Sequence, residues 1–166
     1  MLRRTLLAAA IPLWLSSALP AATIILVRHA ERVNAMSADA LLSPAGEKRA
    51  KLLAQVLKDV PIGRIYVTEV RRTQQTAAPI AAQLHLTPIA IPQSDTDALI
   101  GQLQKLGENE TALVVGHANT VPAIVERLGA GPAPPMSDAE YDRLTVVFTS
   151  AGKARALILR YGVAAE

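Results

Sequence analysis

The run Thr23-Ile24-Ile25-Leu26-Val27 limits the fold more than any other stretch of this chain. It is apolar without alternation and rich in β-branched residues, so as a strand it must be buried on both faces. Thr111 to Gly116, apolar through Leu113, Val114 and Val115, makes the same demand. Between and after these runs come segments with helical spacing. Ser43 is placed to cap a helix opened by Pro44, with Ala50, Leu53, Ala54 and Leu57 facing inward. Thr73, Ala77, Ile80, Ala81 and Leu84 mark a second helix, in which Pro79 is expected to cause a kink. Leu99, Leu103 and Leu106 mark a third, and a short fourth runs from about Thr120 to Gly129.

Further strands are expected at Arg64–Val67, Ile89–Ile91, Leu144–Phe148 and Ala156–Tyr161, the last two joined through Ser150-Ala151-Gly152. Strands alternating with helices imply an α/β fold, a three-layer α/β/α sandwich on a mainly parallel sheet. Ligands in such sheets bind outside the carboxyl ends of the strands. The segments there are Arg28-His29, Thr68 to Arg72, Pro92 to Asp97 and His117 to Thr120.

Residues 1–22 read as a secretory signal peptide, and residues 23–166 as the domain. Arg3 and Arg4 open a basic start, Leu6 to Leu15 is apolar except for Pro12, and Ala21 and Ala22 supply a cleavage site. The apolar run is shorter than the roughly 20 residues a membrane span needs. The expected location is periplasmic or secreted, with no stable membrane association after cleavage. Removing Arg3 and Arg4 from the 17 basic residues leaves 15 against 14 acidic ones, a net charge of +1. That balance, with 3% aromatic residues, gives no footing for nucleic acid. The chain has no Cys, so disulfides and thiolate metal sites are excluded.

Two guanidiniums, Arg28 and Arg72, converging with the imidazoles of His29 and His117 form a site for a dianion such as phosphate. The same positive charge argues against a metal ion, and no second His stands at ligand spacing beside either one. Imidazole serves as a nucleophile in phosphoryl transfer when its other ring nitrogen is held.

Leu26-Val27-Arg28-His29-Ala30-Glu31 resembles the signature of the histidine phosphatase superfamily, whose members share a phosphoglycerate mutase-like fold. Leu42-Ser43-Pro44-Ala45-Gly46 resembles the opening of that family's first helix. Thr68 to Ala77 is similar to its second motif, and Val114 to Pro122 to the segment bearing its second histidine. The resemblance implies that His29 becomes phosphorylated, that Arg28, Arg72 and His117 bind the phosphoryl oxygens, and that no cofactor is needed. A phosphorylated small molecule or a phosphoprotein is the implied substrate.

Ala30 stands where glycine is commoner, and Thr68 where serine is common. The Glu that many members use as general acid has no obvious counterpart. Asp97, or failing that Asp95, is the expected proton donor, although Ser94-x-x-Asp97 also suits helix capping. A mutase and a silent phosphate-binding module of the same fold are the competing readings. The absence of a long enclosing insertion favours hydrolysis over the mutase. Oligomeric state is not legible in the sequence. Asp138, Glu140, Tyr141 and Asp142 read as a solvated helix or turn.

Overall fold

β1 (Ala22–Arg28) lies inside a six-stranded sheet of order β3-β2-β4-β1-β5-β6. The computed structural model describes residues 22–34, 37–150 and 152–164. The expected leader through Ala21 falls outside them; Ala22 is a buried residue of β1. Along the chain follow α1 (Pro44–Val56), β2 (Ile62–Val67), α2 (Arg71–Leu84), β3 (Ile89–Ala90) and α3 (Thr96–Leu103). They are succeeded by β4 (Thr111–Gly116), α4 (Thr120–Arg127), β5 (Arg143–Ser150) and β6 (Lys153–Arg160). β1, β2, β3 and β4 are parallel, and β5 and β6 add antiparallel strands beyond β1.

Successive strand residues face opposite sides, so the apolar runs feed two cores. Ile25, Val27, Ile65, Leu113 and Val115 pack beneath α1 and α2 with Leu53, Ala77 and Ile80. Ile24, Leu26, Tyr66, Ala112 and Val114 pack on the other face with Ile100 and Leu103 of α3 and Ile124 of α4. This is the expected three-layer arrangement. No described helix is long and apolar enough to cross a membrane.

Local chemistry sets the ends. Ser43 accepts a hydrogen bond from the Gly46 N–H at 3.2 Å and Pro44 occupies the first turn of α1. α2 continues through Pro79 and ends at His85, exposed and in the left-handed region at φ 55°. β2 begins two residues earlier than its apolar run, because an irregularity between Ile62 and Arg64 brings Ile62 into register. β3 is shorter than expected. Ile91 still donates to the Val67 carbonyl at 2.9 Å, but Pro92 has no N–H to carry the ladder on.

Candidate active site

β1 and β4 are parallel neighbours with Arg28 opposite Gly116, so the residues that follow them emerge side by side. The His29 N–H donates to the Gly116 carbonyl at 2.9 Å, and the His29 and His117 rings meet edge-on with centroids 5.3 Å apart. Nδ1 of His29 lies 2.8 Å from the carbonyl oxygen of Ala30. A carbonyl only accepts, so Nδ1 carries the proton and Nε2 keeps its lone pair. Burial, with the charge of Arg28 and the neighbouring His117, pulls His29 down to about 3, overriding the Ala30 carbonyl. Burial and the Arg72 guanidinium bring His117 to about 4. Both imidazoles are therefore neutral at neutral pH.

The Cβ of Ala30, in the position where a glycine is commoner, is fully buried in a small cluster with Leu42 and Ala50. Its N–H donates to Thr76 Oγ1 at 2.9 Å, which ties the nucleophile loop to α2. The first turn of α2 carries Arg72. Its Nη1 donates to the Ala38 carbonyl at 2.6 Å, and its Nη2 lies 3.4 Å from His117 Nδ1.

Arg28 is anchored more fully. Its Nη1 lies 2.9, 2.9 and 3.1 Å from the carbonyl oxygens of Ser137, Asp138 and Glu140, and its guanidinium carbon sits 4.1 Å from the centroid of the Tyr141 ring. The Tyr141 ring is in turn 6.1 Å from that of His29. The segment expected to be a solvated turn thus forms a wall of the site. Its carboxylates are also engaged: Glu140 binds Arg143 and Arg160, and Asp142 binds Arg160. These basic residues at the starts of β5 and the end of β6 draw the acidic cluster onto the domain.

A third guanidinium, Arg32, was not anticipated from the sequence. Its charge, with those of its neighbours, bears on Arg28, Arg72 and His117 and lowers all three. For Arg28 and Arg72 burial is the larger cause. The Nε atoms of Arg28, Arg32 and Arg72 are all buried without a hydrogen-bond partner. Unpaired buried donors are rare and costly. Three of them on mutually close guanidiniums, beside two neutral imidazoles, suit an oxyanion with several acceptor oxygens. The signal in the sequence was the Arg28-x-x-x-Arg32 spacing, with nothing local to show where Arg32 turns.

Asp97 and Asp95 are not brought to the imidazoles. The Asp97 carboxylate pairs with Arg127 of α4 and is largely exposed. Asp95 caps α3, accepting from the Ala98 N–H at 3.0 Å, and lines a water-sized cavity of about 20 Å³ with Thr68, Leu99 and Gly116. Among the described residues no carboxylate hydrogen-bonds to either imidazole. Glu69 is the acidic residue whose charge acts on His117, and its Oε2 accepts from the Gln93 N–H at 2.8 Å. Glu31, two residues after His29, is paired with the buried Arg49 of α1 at 2.8 Å.

The family model of the histidine phosphatase superfamily (branch 1) matches residues 24–94. That span holds Arg28, His29, Arg32 and Arg72 and stops before His117. No curated protein matches the chain in sequence. The solved structure of the protein histidine phosphatase SixA complexed with tungstate is 25% identical, with a TM-score of 0.70 over 83% of this chain and 96% of that one. A candidate alpha-ribazole-5'-P phosphatase from Escherichia coli K-12 is 17% identical, with a TM-score of 0.70 over 85% and 99% of the two chains. A mycobacterial glucosyl-3-phosphoglycerate phosphatase is 15% identical, with a TM-score of 0.65 over 86% and 99%. At those identities the last two establish a shared fold.

Proposed function

We propose that the chain is a member of the histidine phosphatase superfamily, and within it a metal-independent phosphatase working through a phosphohistidine on His29. The observation that carries this reading is the His29 ring itself. Its Nδ1–H is held by the Ala30 carbonyl, which leaves Nε2 with its lone pair, and the charges of Arg28 and Arg72 bear on the ring. Nε2 attacks phosphorus in line, the bond from phosphorus to the leaving atom breaks, and the leaving group takes a proton from water. Water then cleaves the phosphorus–nitrogen bond and returns His29. The guanidiniums of Arg28, Arg32 and Arg72 neutralise the charge on the phosphoryl oxygens through both steps, and His117 stands beside them.

The preferred substrates have leaving groups that need little help from an acid. The Asp97 pair with Arg127 and the Asp95 cap support that preference, since they leave neither carboxylate at an imidazole. The nitrogen of a protein phosphohistidine meets the requirement, as does an activated phosphate monoester. Likeness to the protein histidine phosphatase SixA supports the former. Export under the direction of residues 1–22 would place the substrate outside the cytosol.

The test is hydrolysis of p-nitrophenyl phosphate and of phosphoramidate in excess chelator, beside His29→Ala. Turnover that survives the chelator, favours phosphoramidate and disappears in the variant is the expected result. Equal rates in parent and variant would refute a role for His29.

A further inference from the structure

The hydroxyl of Thr68 is fixed from one side by Thr73 and meets His117 on the other. We propose that Thr68 is a positioning residue which selects the His117 tautomer, so that Nδ1 is the ring nitrogen turned towards Arg72 and the phosphoryl group. The inference deepens the phosphatase reading and rests on it for its catalytic consequence.

The direction of each proton follows from the partners. Arg72 can only donate, so its Nη2–H contact with His117 Nδ1 at 3.4 Å requires a lone pair on Nδ1. The ring proton is then on Nε2, where it donates to Thr68 Oγ1 at 3.1 Å. Thr68 passes its own hydroxyl proton to Thr73 Oγ1 at 2.9 Å. Thr73 in turn donates to the Val70 carbonyl at 2.9 Å and accepts from the Thr68 N–H at 3.1 Å. The relay ends on a backbone carbonyl at the N-terminus of α2, a group that cannot reverse. Each polar group along it therefore has one role.

All members are buried: Thr73 is fully so, and His117, Arg72 and Thr68 are 4, 8 and 9% exposed. Water cannot replace a missing partner in such a setting, so losing the Thr68 hydroxyl would leave Nε2–H unpaired. The main chain of His117 is held separately, with its N–H donating to Thr120 Oγ1 at 2.9 Å. Thr68 thus acts on the ring and not on the strand end that presents it.

The groups around the ring sharpen the consequence. Arg72 from α2, Arg28 from β1, Arg32 from the loop beyond it, Glu69 from the turn before α2 and the His29 ring all bear on His117. Three of these are cations, and they gather on the side an oxyanion would occupy. When the anion arrives, Arg72 has its unpaired Nε–H to offer in addition to Nη2. Nδ1 then offers its lone pair to a phosphoryl oxygen that carries a proton, so the proton of a phosphate monoanion is shared between them. If the ring carried its proton on Nδ1 in the resting state, it would confront the Arg72 donor. Serine keeps the hydroxyl; valine keeps the shape and removes it.

The experiment measures both tautomer and turnover in Thr68→Val, Thr68→Ala and Thr68→Ser. Long-range proton–nitrogen correlation spectra at pH 7 report which nitrogen of His117 is protonated, with His117→Gln used to assign the signal. The parent and Thr68→Ser should show the Nε2–H form, and Thr68→Val and Thr68→Ala a mixture or the Nδ1–H form. kcat/KM for p-nitrophenyl phosphate should fall about ten- to a hundredfold in Thr68→Val, the usual loss when the partner orienting a functional histidine is removed. In Thr68→Ser it should stay within about threefold. A Thr68→Val protein that keeps the Nε2–H tautomer overturns the inference. So does a Thr68→Ser protein as impaired as Thr68→Val. If no protein, parent included, turns over p-nitrophenyl phosphate or phosphoramidate, the phosphatase reading fails while the tautomer populations still decide the role of Thr68.

Discussion

Acidification from pH 7 to pH 5 should destabilise this protein far more than its carboxylates can explain. An unconstrained imidazole titrates near 6.5, whereas burial holds His29 at about 3 and His117 at about 4. Above 6.5 neither the folded nor the unfolded chain binds these two protons. Below it the unfolded chain binds them and the folded chain does not, so stability is fully present above about 6.5 and falls as the pH drops towards 4. At pH 5 each histidine favours the unfolded state by about 2 kcal/mol relative to pH 7, about 4 kcal/mol for the pair. Domains of this size are stable by about 5–15 kcal/mol in total, so the loss is large. Aspartates and glutamates are ionised in both states over most of this window and nearly cancel. The assay is urea unfolding at pH 7 and pH 5, beside His29→Asn with His117→Gln. The double variant should lose no more than about 1 kcal/mol over the same interval. Equal losses in parent and double variant would refute the claim that the two rings are buried in the neutral form.

Four other outcomes follow from the surroundings of particular residues. A Cβ at Gly46 would overlap the Glu31 backbone carbonyl, so Gly46→Ala should cost about 1–3 kcal/mol in urea unfolding and lower turnover with it. Gly101→Ala in α3 meets nothing within 4 Å and should instead stabilise by up to about 1 kcal/mol. Arg32→Ala should lower kcat/KM for p-nitrophenyl phosphate by roughly tenfold or more, the worth of one charge-assisted bond, and Arg32→Lys should not restore it because an ammonium lacks the fork. Asp95→Asn with Asp97→Asn should leave p-nitrophenyl phosphate turnover within about twofold of the parent; a large loss would return the acid role to that segment.

What the sequence made legible was whatever depends on near neighbours. His29 and His117 could be located because each directly follows a strand with a long apolar run, and such strands end at the ligand edge. Ser43 and Pro44 set the start of α1 for the same local reason. The contacts of Arg28 were not legible, since its carbonyl partners lie 109 to 112 positions away. Asp97 shows the opposite hazard. Its place at the start of a helix was readable, but an acidic residue there looks the same whether it faces a substrate or pairs with Arg127 across α3 and α4. Arg32 sits in a loop with no periodicity to indicate a face, and only its buried Nε and its effect on Arg28 and Arg72 reveal its direction.

The site is also where the fold gives up stability. Three guanidiniums whose Nε–H groups are buried and unpaired repel one another, and two imidazoles are kept from their ordinary protonation. Such an arrangement persists only if the surrounding structure over-determines it. Here the restraint comes largely from backbone carbonyls, those of Ala30, Ala38, Ser137, Asp138 and Glu140, which hold His29, Arg72 and Arg28 without adding negative charge. Carboxylates in those positions would hold the same side chains more tightly and cancel the field that an oxyanion needs. The acidic residues are spent one layer out, Glu31 on Arg49 and Glu140 on Arg143 and Arg160, where they fix the loops that present those carbonyls. Neutral restraint inside and charged restraint outside is therefore what lets one edge of the sheet remain positive, dry and in place before any phosphate arrives.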